Sequence, residues 1–198
     1  SGARPSRSLT SDRSLSLGPR APRLRAPRER RLEGAWGSKG GRPRFIWLGR
    51  MSPEKRLLPF LEAVAESGID ADVDIVGGGG QLRAAQRLVA KRRAAASIVF
   101  RGRVSYRETL ELIAAADALV QTSIGFETQG MTPFEAASLG TPAVISDPDI
   151  AGELESGFWS VRDASVGALA DTLRTAAADI AAGTPVPVNP EVREKFRQ

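Results

Sequence analysis

Five short apolar runs punctuate residues 45–145, and the reading taken from them is that each is apolar throughout rather than alternating. They are Phe45–Leu48, Val73–Val76, Ile98–Phe100, Ala118–Val120 and Ala143–Ile145. A strand that alternates polar and apolar residues has one wet face. A strand apolar on both sides is covered on both, which is the signature of a parallel sheet buried between helices. The segments between the runs support this. Leu57, Phe60, Leu61 and Val64 follow i, i+3, i+4, i+7 spacing, and Gly68 can close that helix. Residues 81–93 carry Leu82, Leu88 and Val89 on one side. Ser105-Tyr106-Arg107-Glu108 has capping-box spacing and predicts a helix to about Ala115. Residues 132–139 predict a short helix stopped by Gly140. Val166, Leu169, Leu173, Ala177 and Ile180 predict one more. The right-handed crossover rule turns this alternation into an α/β, doubly wound, Rossmann-like parallel sheet.

The boundaries follow from composition. Residues 1–43 are rich in Arg, Pro, Ser and Gly without periodicity, and read as a linker or tail. Residues 44–183 form the sheet domain, and 184–198 a Pro-containing extension. Of the net charge of +5, the first 44 residues account for +9 through eleven Arg and one Lys against Asp12, Glu29 and Glu33. The remainder carries −4. Such a tail is expected to be solvated, its functional alternatives being docking to an anionic membrane surface or to nucleic acid; of these, peripheral membrane contact is the partner kept and nucleic acid is not expected. No apolar run approaches a membrane span and no secretory leader is legible, so the expected compartment is the cytoplasm. The chain has neither His nor Cys, which removes Ser-His-Asp and Cys-His catalysis and thiolate metal sites.

In a doubly wound sheet, ligands bind beyond the carboxyl ends of the strands, so the residues just after each run carry the functional content. After the first come Gly49-Arg50-Met51-Ser52-Pro53-Glu54-Lys55. Arg50 in the loop and Lys55 at the start of the following helix are two cations where the helix dipole disfavours them, consistent with a bound anion or with a solvated loop. After the second, Gly77-Gly78-Gly79-Gly80 lacks the third glycine of a dinucleotide fingerprint and a Walker lysine. It is read as a tight turn with close backbone packing. After the fourth comes Ser123 to Glu135. Thr132 and Pro133 open a helix, and the free amides of Gly130, Met131 and Thr132 would face outward, suited to a phosphate. Glu127 and Glu135 flank that amide cluster. Carboxylates there can accept from vicinal hydroxyls; a glycosidase acid and base is the alternative, which leaves Arg50 and Lys55 unexplained.

Glu127 and Glu135, seven residues between them and Gly130 three after the first, resemble the E-x7-E motif of the retaining GT-B glycosyltransferases of family 4. Further features fall in the family's order: Gly49-Arg50…Lys55, Asp74-Ile75-Val76-Gly77, Val99-Phe100-Arg101-Gly102-Arg103-Val104 and Ala136 to Val144. The likeness covers about residues 44–182 and implies the C-terminal, donor-binding half of such an enzyme. It implies that Arg50 and Lys55 hold and stabilise the diphosphate of a nucleoside diphosphate sugar, helped by the amides of Gly130, Met131 and Thr132. It further implies that Glu135 binds ribose hydroxyls, that Glu127 contacts the transferred sugar, and that the backbone of Arg101, Gly102, Arg103 and Val104 meets the base.

No metal or other cofactor is expected. Asp70-Ala71-Asp72 and Asp147-Pro148-Asp149 match the metal-binding tripeptide of the other glycosyltransferase fold. The first precedes a strand and so lies at the wrong end of the sheet, and the second is read as a Pro turn. Thr128 and Gln129 depart from the family's Gly and aromatic. The expected partners are the donor and an N-terminal acceptor-binding domain that this sequence lacks, without which the chain is expected to transfer no sugar. A sugar-nucleotide epimerase and a non-catalytic module using the basic tail are the alternatives; a phosphorylase would need a pyridoxal lysine, and no motif for one stands out.

Overall fold

The computed structural model describes residues 41–125 and 131–195; the expected tail, up to residue 40, lies outside them. Six parallel strands form one sheet: β1 (Arg44–Arg50), β2 (Asp72–Gly78), β3 (Ser97–Gly102), β4 (Ala118–Gln121), β5 (Ala143–Ile145) and β6 (Phe158–Ser160). Their order is β3-β2-β1-β4-β5-β6. The chain winds outward one way from β1 to β3, then crosses back beside β1 and winds the other way. The direction reverses between β1 and β4.

Helices α1 (Leu57–Ser67), α2 (Leu82–Arg92) and α6 (Val166–Ala182) cover one face; α3 (Tyr106–Ala115), α4 (Thr132–Ser138) and α5 (Pro148–Leu154) cover the other. The strands divide between two apolar layers as a doubly covered sheet must. Phe45, Trp47, Val73, Ile75 and Val120 pack on the first face, and Ile46, Val76, Leu119 and Ile145 on the second. Ser105 caps α3 by accepting from the Glu108 amide at 3.2 Å, and Ser165 caps α6 through the Ala168 amide at 3.1 Å. No helix among the described residues is long and apolar enough to cross a membrane.

Four features differ from the sequence expectations. Asp74 lies inside β2, so that run is not apolar throughout; it is buried and ion-paired with Arg101 at 2.9 Å. Asp147-Pro148-Asp149 is no Pro turn but the start of α5. Asp147 caps it, accepting from the amides of Asp149 at 2.9 Å and Ile150 at 3.4 Å, and Pro148 needs no partner for a missing N–H in the first turn. Three residues of β6 escaped notice because an edge strand so short has no periodicity to read. Finally, α7 (Pro190–Lys195), in the C-terminal extension, packs on α4, and Arg193 donates to the carbonyl of Ser138 at 3.3 Å.

Candidate functional site

A cavity of about 420 Å³ opens where the winding reverses, between the carboxyl ends of β1 and β4. That is the position at which open α/β sheets bind ligands, and the volume falls in the usual range for a small-molecule site. From β1 come Trp47, Leu48, Gly49 and Arg50; from β4 and its following loop, Leu119 to Ser123. Lys55 closes one side. Tyr106 and Thr109 of α3 and Met131, Thr132, Pro133 and Glu135 at the start of α4 close the other. Arg50, Lys55, Gly49, Met131, Thr132 and Glu135, singled out in sequence, therefore share one cavity. Glu127 and Gly130 lie outside the described residues.

The cationic side is built by two interlocked glycine turns. Gly77 has φ +124° and Gly79 φ +154°, and a Cβ on Gly77 would sit 1.9 Å from the Gly49 carbonyl oxygen. The Met51 amide donates to the Gly78 carbonyl at 2.9 Å, and the Gln81 amide to the Met51 carbonyl at 3.0 Å. Two of the four glycines, Gly77 and Gly79, thus provide the close backbone packing expected of this turn: they let the end of β2 lie backbone-to-backbone against the end of β1 and the loop after it.

Lys55 is not at the start of α1. It ends a short 3-10 turn, Pro53–Lys55, and Arg56, in the left-handed conformation at φ 55°, separates that turn from the helix. The dipole mismatch expected for Lys55 therefore does not arise; a tertiary contact fixes it instead. The Trp47 indole N–H donates to the Thr122 hydroxyl at 2.9 Å, and that hydroxyl donates to the Lys55 carbonyl at 2.6 Å. Trp47 is 1% exposed and Thr122 2%, so this relay ties the Lys55 backbone to both central strands inside the core.

Arg50, with a side chain 73% exposed, lies 3.5 Å from Glu54. The Ser52 hydroxyl, donating to Glu54 at 2.6 Å, is the main cause holding the Glu54 carboxyl below its ordinary value, and Arg50 and Lys55 add to it. Glu54 thus remains an anion beside the two cations and offsets part of their charge.

On the opposite side, Glu135 sits in the first turn of α4, and the Tyr106 hydroxyl donates to its Oε1 at 2.9 Å. That hydrogen bond, with the carboxylate's charge, raises the Tyr106 phenol above its ordinary value of 10.0. Arg101 and Gly102 end β3, and Arg103 and Val104 follow it, at the same end of the sheet. The Arg101 side chain turns to Asp74, close enough for an ion pair but off line for a hydrogen bond. Val104 packs into the core, and Arg103 lies across Gly78. The α3 side of the cavity wall is set by Tyr106 and Thr109.

Sequence reasoning missed Trp47, Thr122, Tyr106 and Asp147 as site residues. Asp147 also accepts from the Gly125 amide at 2.7 Å, anchoring the loop after β4 to α5. An Asp followed by Pro ahead of an apolar helix is a legible cap signal; the three other contacts join residues far apart in sequence. Asp70, just before β2, and Asp72, its first residue, lie at the opposite end of the sheet, 2.7 and 3.5 Å from Arg42, the end at which the sequence order puts them.

The sequence profile of the family described as Glycosyl transferases group 1 matches residues 29–183. A curated relative from Mycobacterium tuberculosis, a GDP-mannose-dependent alpha-(1-6)-phosphatidylinositol dimannoside mannosyltransferase, is 33% identical over 106 residues, which is 52% of this chain and 26% of that protein. Among solved structures, sucrose-phosphate synthase from Thermosynechococcus elongatus superposes with a TM-score of 0.67 at 22% identity, over 79% of this chain and 41% of that one. Anabaena HepE in complex with UDP and glucose gives 0.64 at 19%, over 79% and 45%. The chain therefore spans less than half the length of each.

Proposed function

The chain belongs to the group 1 glycosyl transferases, of GT-B type, and on that premise we propose that its cavity binds the nucleoside diphosphate part of a sugar donor, as the C-terminal half of a retaining, metal-independent enzyme. The observation that carries the proposal is the meeting of Arg50 and Lys55 with Met131, Thr132 and Glu135 around one cavity at the reversal of the sheet. In this reading the two cations face the diphosphate. Negative charge grows on the leaving diphosphate as the bond to the sugar breaks, and fixed cations stabilise it with little reorganisation. Glu135 accepts from the ribose hydroxyls, and Glu127 from the transferred sugar. Residues 101–104 meet the base with their backbone. α4 is only seven residues long, so Arg50 and Lys55 supply most of the field and the Met131 and Thr132 amides the directed contacts. In this reading a second domain binds the acceptor and is required for transfer.

The test is calorimetric titration of this chain with UDP, GDP and ADP. One of them binds, and Arg50→Ala or Lys55→Ala weakens it by about 1–3 kcal/mol, as expected for a hydrogen-bonded charged contact. If none of the three binds at millimolar concentration, the proposal falls.

A further inference from the structure

Among the described residues, two large apolar side chains are exposed, Tyr106 at 65% and Met131 at 48%, and both line this one cavity. Scattered single apolar residues on a surface need no explanation, but two that converge on one concave site do. They stand on different elements. Tyr106 is the first residue of α3, just after the segment 101–104, and Met131 immediately precedes α4. Tyr106 is also held. Its hydroxyl reaches from α3 to the carboxylate of Glu135 on α4 at 2.9 Å, which fixes an otherwise solvent-facing ring at the rim. That bond uses one lone pair on one carboxylate oxygen. The acceptor sites that remain suffice for two hydroxyl donors. A ligand that suits the arrangement is flat or apolar on one face, carries vicinal hydroxyls for Glu135, and extends an anion toward Arg50 and Lys55.

Resting on the donor-binding reading above, we propose that Tyr106 is a nucleoside-binding residue: its ring, with Met131, is covered by the nucleoside of the ligand, and its hydroxyl orients the Glu135 carboxylate toward the ribose. The family resemblance implied this contact for the backbone of residues 101–104. The inference moves the nucleoside's apolar contact to the side chain that follows that turn.

Tyr106 is the sole tyrosine of the chain, so its ionisation can be followed by near-ultraviolet absorbance. The experiment compares wild type, Tyr106→Phe and Tyr106→Ala in binding UDP, GDP, ADP and inorganic pyrophosphate. An exposed rim residue is expected to leave the melting temperature unchanged. For whichever nucleotide binds the wild type, Tyr106→Ala weakens binding about tenfold or more, the scale of losing one base–aromatic contact, and Tyr106→Phe weakens it by a smaller factor. Pyrophosphate binding is unchanged in both, because Arg50 and Lys55 are intact. In Glu135→Gln, the phenol titrates nearer its ordinary value than in wild type.

Nucleotide affinity in Tyr106→Ala equal to wild type, or an equal loss for pyrophosphate, overturns the nucleoside contact while leaving the donor reading standing. An unchanged phenol titration in Glu135→Gln overturns the orienting role. Failure of the wild type to bind any of the three nucleotides sinks the donor reading and this inference with it.

Discussion

Replacing Thr122 by Val tests whether the relay from Trp47 through Thr122 to Lys55 holds the cationic side in place. Valine keeps the shape and removes the hydroxyl. Two hydrogen bonds then vanish, at 2.9 and 2.6 Å, in a site where Trp47 and Thr122 are all but inaccessible to solvent. The indole N–H is left buried without a partner, which costs about 1–3 kcal/mol, while the Lys55 carbonyl, nearer the surface, can recover a water. The combined loss is about 2–4 kcal/mol. For a chain of this length that lowers the melting temperature by roughly 5–15 °C. Thr122→Ser keeps the hydroxyl and loses one methyl group, about 1 kcal/mol. Urea unfolding of wild type and both variants measures the difference directly. Because the Lys55 backbone is released, Thr122→Val is also expected to weaken nucleotide binding where Thr122→Ser does not. If the two variants have the same stability to within about 0.5 kcal/mol, the hydroxyl is not a structural link and the reasoning fails.

Gly77→Ala is expected to prevent stable folding, since its Cβ would stand 1.9 Å from the backbone oxygen of Gly49 at a φ of +124°; a soluble variant with a wild-type circular dichroism melt would refute the interlocked-turn account. Asp147→Ala removes the cap of α5 and the anchor of Gly125, with an expected loss of about 0.5–2 kcal/mol and faster hydrogen exchange at the amides of Gly125, Asp149 and Ile150. Asp163 is held at about 2, below its ordinary 3.8, chiefly by its hydrogen bonds to Ser165 with Arg162 adding. Its folded value is depressed, so its contribution to stability is present above pH 3.8 and is lost as pH falls toward 2. Asp163→Asn should flatten that part of the acid denaturation curve, and an unchanged curve would contradict the assignment.

The sequence by itself determined the layers and the punctuation of this protein. Runs such as Phe45–Leu48 admit no wet face, so they had to be central strands of a parallel sheet. Ser105 and the glycines at the end of β2 marked one helix start and one backbone crossing, because caps and positive-φ turns are set by residues adjacent in the chain. It also marked Arg50, Lys55, Met131, Thr132 and Glu135 as residues at strand ends. Only the tertiary structure decided that these meet. Strand β4 pairs with β1 across the reversal of the winding, and the choice of neighbour depends on the packing of whole layers rather than on any local signal. The same holds for Trp47 to Thr122, 75 residues apart, and Tyr106 to Glu135, 29 apart. A hydrogen bond between such residues leaves no periodicity in sequence, since its geometry exists only once the sheet has brought its strand ends together.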